Sequence, residues 1–185
     1  YYNGKFRNYN IDKLDLKVCR IFLSPYRDNF FVSLGTSYGI NMHQTFFNNL
    51  DFPLSPLEFS LRGLKKNFEL EYHNRFSREG NTIYVINFKP INQNTDGFSG
   101  RIWLDSTTSE LLKVKFQNNG GSRSPYVPVG NANKLNSVQF DITKNYKDNN
   151  GSKTISSIDF NYAIEYIRTD GSEIKVETEA VLFAY

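Results

Sequence analysis

The sequence predicts a mainly β (α+β) protein, a curved antiparallel half-barrel sheet of roughly seven to ten strands with short helices packed in its concave face. From about Lys65 to the C-terminus, apolar and polar residues alternate with a period of two, the pattern of strands with one buried and one wet face. Aromatic residues make up 16% of the chain, with 16 Phe and 12 Tyr against one Met, which favours strands over a helical bundle. Turn signals at Asp105-Ser-Thr-Thr108, Lys147-Asp-Asn-Asn-Gly-Ser152 and Thr169-Asp-Gly171 separate the alternating runs.

In the first 24 residues, Ile11, Leu14, Val18 and Phe22 approach a helical stripe, while Leu14, Leu16 and Val18 alternate; the preferred reading is strand or extended chain. Ser24-Pro25 ends that segment. Phe30 to Leu34 forms a short apolar run closed by Gly35 and Gly39, and Met42, Phe46, Phe47 and Leu50 lie on one helical face. A second short helix is expected over Leu57 to Leu64, with Ser55 as N-cap, Pro56 in the first position and Glu58 in the first turn. Residues 42–64 thus read as a helical plug and residues 65–185 as an antiparallel meander, within a single domain over 1–185. The abrupt start at Tyr1-Tyr2-Asn3 reads as a piece of a longer protein.

In the meander, Phe68, Leu70 and Tyr72 alternate with Glu69, Glu71 and His73, and Tyr84, Ile86 and Phe88 with Ile83, Val85 and Asn87. Ile102 and Leu104 face away from Arg101, Trp103 and Asp105, and Leu112, Val114 and Phe116 away from Lys113 and Lys115. Residues 118–136 read as a long loop, expected to be mobile. Three long strands follow, carrying Val138, Phe140 and Ile142, then Ile158, Phe160, Tyr162, Ile164 and Tyr166, then Ile174, Val176, Ala180 and Leu182 on their apolar sides.

Charge and motifs narrow the function. Lys and Arg number 22 against 19 Asp and Glu, and they are scattered, so there is no basic stripe to displace counterions from phosphates and no nucleic-acid partner is expected. Cys19 is the only cysteine; it can form no intrachain disulfide and reads as a small buried hydrophobe. No apolar run approaches the roughly 20 residues of a membrane-crossing helix. A nucleophile elbow is missing, and Gly120-Gly-Ser-Arg-Ser124 is not followed by the Gly-Lys-Ser/Thr of a phosphate cradle.

Of the two histidines, His43 stands alone and His73 has only Glu71 nearby, short of the ligands zinc needs. Glu69, Glu71, Glu177 and Glu179 belong to a solvated face, where cross-strand pairing with Lys113, Lys115 or Lys175 is the simpler expectation than paired catalysis. The chain is therefore expected to be non-catalytic, with no metal and no cofactor. The apolar face remains: Phe68, Leu70, Tyr84, Ile86, Phe88, Ile102, Leu104, Val114, Phe116, Phe140, Phe160, Tyr162 and Ile164. It is either ordinary core or a concave ligand surface, since ligand sites are mostly apolar with few polar groups.

The stretch Phe98-Ser-Gly-Arg-Ile-Trp-Leu-Asp-Ser-Thr-Thr-Ser-Glu-Leu-Leu-Lys-Val-Lys-Phe116, preceded by Tyr84-Val-Ile-Asn-Phe-Lys-Pro90, resembles the Gly-x-hydrophobic-Trp/Tyr-hydrophobic-Asp hairpin of outer-membrane lipoprotein-carrier-like domains. With Leu54-Ser-Pro-Leu57, it is similar to a Gram-negative family in which a carboxypeptidase-regulatory-like module and such a domain precede an outer-membrane β-barrel. The resemblance covers residues 45–117 and, in strand pattern, 136–185. It implies an unclosed β-barrel plugged by short helices, a hollow that accepts a lipid or lipoprotein acyl chain, a periplasmic or outer-membrane-associated location, and a barrel in the same parent chain as partner. Gly100, Trp103 and Asp105 would be signature positions of the hairpin and not ligands. The alternative is a structural or protein-interaction spacer with a fully packed core.

Overall fold

Alternation becomes strand wherever the computed structural model describes the chain, which it does for residues 2–7, 10–16, 55–92, 97–121, 133–149 and 151–183. Two compact units divide the sequence: Tyr1–Asn49 with Tyr126–Pro128, and Leu50–Pro125 with Val129–Tyr185. The first holds an antiparallel hairpin, β1 (Tyr2–Arg7) and β2 (Asn10–Leu16), running from Tyr2 opposite Leu16 to Arg7 opposite Asn10. The extended reading of the N-terminal segment is met there. The expected strand at Phe30 to Leu34, the helix over Met42 to Leu50, Cys19 and His43 all lie outside the described residues.

The second unit is mainly β. Strands β3 (Phe68–Arg78), β4 (Asn81–Pro90), β5 (Ser99–Asp105), β6 (Glu110–Gly121), β7 (Lys134–Asn149), β8 (Ser152–Ile167) and β9 (Glu173–Phe183) follow one another. They pair in sequence order into a seven-stranded antiparallel sheet. The sheet is curved and unclosed, a half-barrel with β3 and β9 as its edges. The hairpin turns are chemically simple. Glu79 (φ 55°) and Gly80 (φ 84°) both take positive φ between β3 and β4, the two-residue turn whose twist matches the flanking strands. Gly151 (φ 80°) and Gly171 (φ 83°) do the same service in the two turns that the sequence marks.

The helical stretch differs from the sequence reading in its bounds, and the α-helix in it has no buried residue. Ser55 does cap a helical turn, its Oγ accepting from Leu57 N at 3.3 Å with Pro56 in the first position. That turn, a 3₁₀ segment over Pro56–Glu58, stops at Phe59, which is extended, and a second cap at Ser60 opens α1 (Leu61–Asn67). The reason is packing: the Phe59 ring lies 5.9 Å from that of Phe68 on the buried side of the sheet, and Gly63 leaves room for it. Lys65 and Lys66 are thus helical, and the period of two begins at Phe68, three residues later than the sequence reading placed it.

Register shifts account for two further departures. In β3, Tyr72 faces Ile86 and Asn74 faces Val85, so His73 is an extra residue and the faces exchange beyond it. In β6, Trp103 faces Lys113 while Leu104 faces Leu111, so Leu111 and not Leu112 joins the apolar face. The expected loop over 118–136 is shorter at both ends, because β6 runs to Gly121 and β7 starts at Lys134. Asn118 explains the extension. Its Oδ1 accepts from Phe140 N at 2.6 Å and its Nδ2 donates to the Val138 carbonyl at 3.3 Å, replacing ladder bonds where the β6–β7 register shifts. The middle of that loop, residues 122–132, lies outside the described residues.

Candidate functional site

Cross-strand register places every candidate residue on one face of the sheet. Directly opposite residues in an antiparallel sheet point to the same side. One row reads Leu70, Phe88, Gly100, Phe116, Ile142, Phe160 and the next Tyr72, Ile86, Ile102, Val114, Lys144, Ile158. Tyr84 lies opposite Leu104, Phe140 opposite Tyr162 and Ile164 opposite Val138. Phe68 sits at the start of β3, across from Pro90.

Burial divides this face. Phe68, Phe88, Ile102, Val114, Phe116, Phe140, Phe160 and Ile164 are buried. Tyr84, Ile86 and Leu104 are half-buried. Leu70 is 43% exposed, and its neighbour Tyr72 is 59% exposed.

Aromatic rings pave the buried part. Phe59 meets Phe68 at 5.9 Å, Phe68 meets Phe88 at 6.1 Å, and Phe88 meets Phe116 at 5.9 Å. The chain of rings continues from Phe116 to Phe98 at 5.4 Å, to Phe140 at 6.2 Å and to Phe160 at 6.1 Å. Tilted and edge-on pairs at such separations add about 0.5–1.5 kcal/mol each beyond the area they bury. Gly100 makes the centre of this pavement possible. A Cβ there would stand 1.9 Å from the Lys115 carbonyl oxygen and 3.1 Å from the Phe88 ring, so the position admits no side chain. Phe88 and Phe116, its partners on either side, meet across it.

Val138, Ile142 and Ile158, already assigned to this side by alternation, are buried in it as well, and Phe98, Lys144 and Asn118 join them without having been marked by the sequence. Phe98 lies one residue before β5 and packs against Phe116 and Phe140, and its spacing from Gly100 and Ile102 continues their alternation. Lys144 continues the alternation of Val138, Phe140 and Ile142, although lysine is seldom fully buried; it is buried and engaged in an interaction. Asn118 stood at the edge of a supposed loop. A dent of about 70 Å³ lies between Lys66–Phe68 and Pro90–Asn92, well short of the roughly 300 Å³ of a small-molecule pocket.

The opposite face is not uniformly wet. Ile83 and Val85 are buried on it, with half-buried Trp103 across from Val85 and the Lys113 ammonium 5.0 Å from the Trp103 ring. Asp105, at the end of the same hairpin, is buried and serves the turn. Its Oδ1 accepts from Thr107 N at 2.8 Å and Thr108 N at 3.3 Å, and its Oδ2 from Asn81 Nδ2 at 2.8 Å. Withdrawal from solvent raises its pKa, and these hydrogen bonds together outweigh that effect and hold it below the ordinary aspartate value. The other shifted groups are also structural. Asp170 is lowered by the Ser172 hydroxyl and N–H in the last turn, and Lys175 is raised by its hydrogen bond to Glu177.

The acids considered for paired catalysis are kept apart. Glu69 and Glu71 stand on β3, Glu177 and Glu179 on β9, the two edge strands. Glu69 pairs with Lys89 at 3.2 Å, and Lys115 bridges to Asp141 at 2.9 Å. Among the described residues, no three His, Cys, Asp or Glu side chains are grouped to hold a metal ion. No family model, no curated protein and no solved structure matches the chain.

Proposed function

We propose that this chain is a non-catalytic module that takes up a lipid or lipoprotein acyl chain on the open, β3 end of its apolar sheet face. The observation that carries the reading is the exposure of Leu70 and Tyr72 on a face whose middle is core. They sit directly opposite Phe88 and Ile86 and extend, through half-buried Tyr84, Ile86 and Leu104, a continuous apolar strip out to solvent. Exposed apolar side chains that are contiguous rather than scattered singly mark binding surfaces. The hairpin resemblance adds the setting, periplasmic or outer-membrane-associated, with a membrane barrel in the same parent chain.

Delipidated protein titrated with a fluorescent fatty acid is expected to give a saturable signal that unlabelled fatty acid displaces. A flat titration, with the protein folded by circular dichroism, overturns the proposal. A second reading, a structural or protein-interaction spacer, draws support from the unbroken chain of rings from Phe59 to Phe160, which fills the middle of the face with side chains. On that reading the strip at Leu70 and Tyr72 is a protein contact.

A further inference from the structure

We infer that the ligand of the open end is a single-chain amphiphile with an anionic head, carboxylate or phosphate, and that Arg75 binds the head. The inference rests on the acyl-chain reading above and adds the class of ligand. It begins with the bulge in β3. In a regular strand Leu70, Tyr72 and residue 74 would share the apolar face and Arg75 would point to the other. The extra residue at His73 reverses this, leaving Asn74 opposite Val85 and bringing Arg75 opposite Tyr84, on the apolar face. Arg75 stands at most about 16 Å along the strand from Leu70, at roughly 3.3 Å per residue, so cation and apolar strip have the reach of one extended amphiphile.

The charge on this face is one-sided. On β3, β4 and β5 the residues that share it carry no carboxylate, and Arg75 is exposed and forms no ion pair among the described residues. The strand's acids, Glu69 and Glu71, lie on the opposite face with Lys89 and Asn87. A guanidinium binds carboxylate or phosphate through two parallel hydrogen bonds, and an apolar tail beside it thins the water that would weaken them. A neutral or cationic amphiphile would leave that charge unused or repelled.

The test uses the delipidated full chain, titrated calorimetrically below the critical micelle concentrations with dodecanoate, dodecyl phosphate, dodecanol and dodecyltrimethylammonium. One or both anions are expected to bind at least ten-fold more tightly than dodecanol, and which anion binds better identifies the head. Arg75→Gln is expected to bring the anions down to the dodecanol level without changing dodecanol. Arg78→Gln, on the opposite face across from Asn81, should change none of them. Equal binding of anion and alcohol, unaffected by Arg75→Gln, sinks the head-group inference and leaves the acyl-chain reading standing. Failure of all four to bind removes both.

Discussion

Phe116 and Tyr72 occupy the same face of one sheet and end in opposite environments. Phe116 lies on an interior strand, with a strand on each side and the rings of Phe88 and Phe98 within 5.9 Å, and is 0% exposed. Tyr72 lies on the edge strand β3, has a neighbouring strand on one side only and, among the described residues, touches a single ring, Tyr84 at 6.3 Å. Both are aromatic and both alternate with polar residues. The difference teaches that a period of two assigns a residue to a face but does not say whether that face is covered. The apolar residues marked as one candidate site therefore separate into core and available surface, and on β3 the division runs along the strand: Phe68, beside the Phe59 ring, is buried, while Leu70 and Tyr72 are not.

The largest effect that can break this division is at its buried end. Phe116→Ala is expected to destabilise the protein by about 3–5 kcal/mol, the range for removing a fully buried aromatic side chain. Urea unfolding followed by circular dichroism measures it. A loss below about 1 kcal/mol would mean that the middle of the face is loosely filled, and the whole face would then return as a candidate ligand surface.

Much of this was legible from alternation alone. The strands from Phe68 onward, the turns at Lys147–Ser152 and Thr169–Gly171, and the common face of the candidate residues all follow from a rule that needs only neighbours in sequence. What the sequence could not show depends on partners across strands. The bulge at His73 is invisible because Phe68 to Tyr72 alternate cleanly up to it, and only the pairing with β4 reveals that Arg75 and Phe76 have exchanged faces. Leu111 and Leu112 are chemically identical, so only the register against Leu104 chooses between them. The Phe59 break in the helical stretch likewise arises from a ring contact with Phe68, while Pro56 and Ser55 signal a helix start without signalling how soon it ends. Burial itself was least legible: Lys144 is buried and Leu70 is not, the reverse of their ordinary tendencies.

A smaller effect tests the hairpin that joins the two regions. Asp105 ties the β5–β6 turn to Asn81 at the start of β4, and its folded-state pKa is held below the unfolded value. A depressed carboxylate contributes stability that is fully present above the unfolded pKa, near 3.8, and is lost as pH falls through the lower folded value. Urea midpoints measured from pH 6 downwards are expected to fall in this acid window for the unaltered chain. In Asp105→Asn that part of the fall should be missing, with a lower plateau at neutral pH. An unchanged acid limb in the variant would show that the carboxylate is not held by the turn.

The smallest change in stability, and the one that decides what the exposed end is for, is expected from Tyr72→Ala. With more than half of its surface already in water (59% exposed) and one edge-on ring contact to give up, the loss should stay within about 1 kcal/mol. The affinity for a fluorescent fatty acid should nevertheless fall, by roughly five-fold if the ring contributes about 1 kcal/mol of contact to the tail. These two measurements pull apart what burial leaves joined. A residue that belongs to the core loses stability when truncated and takes binding down only by unfolding; a residue that belongs to a surface site loses binding while the urea midpoint stays put. A Tyr72→Ala protein that unfolds as readily as Phe116→Ala would therefore erase the boundary between the two regions, because the β3 end would then be core held as firmly as the strands behind it.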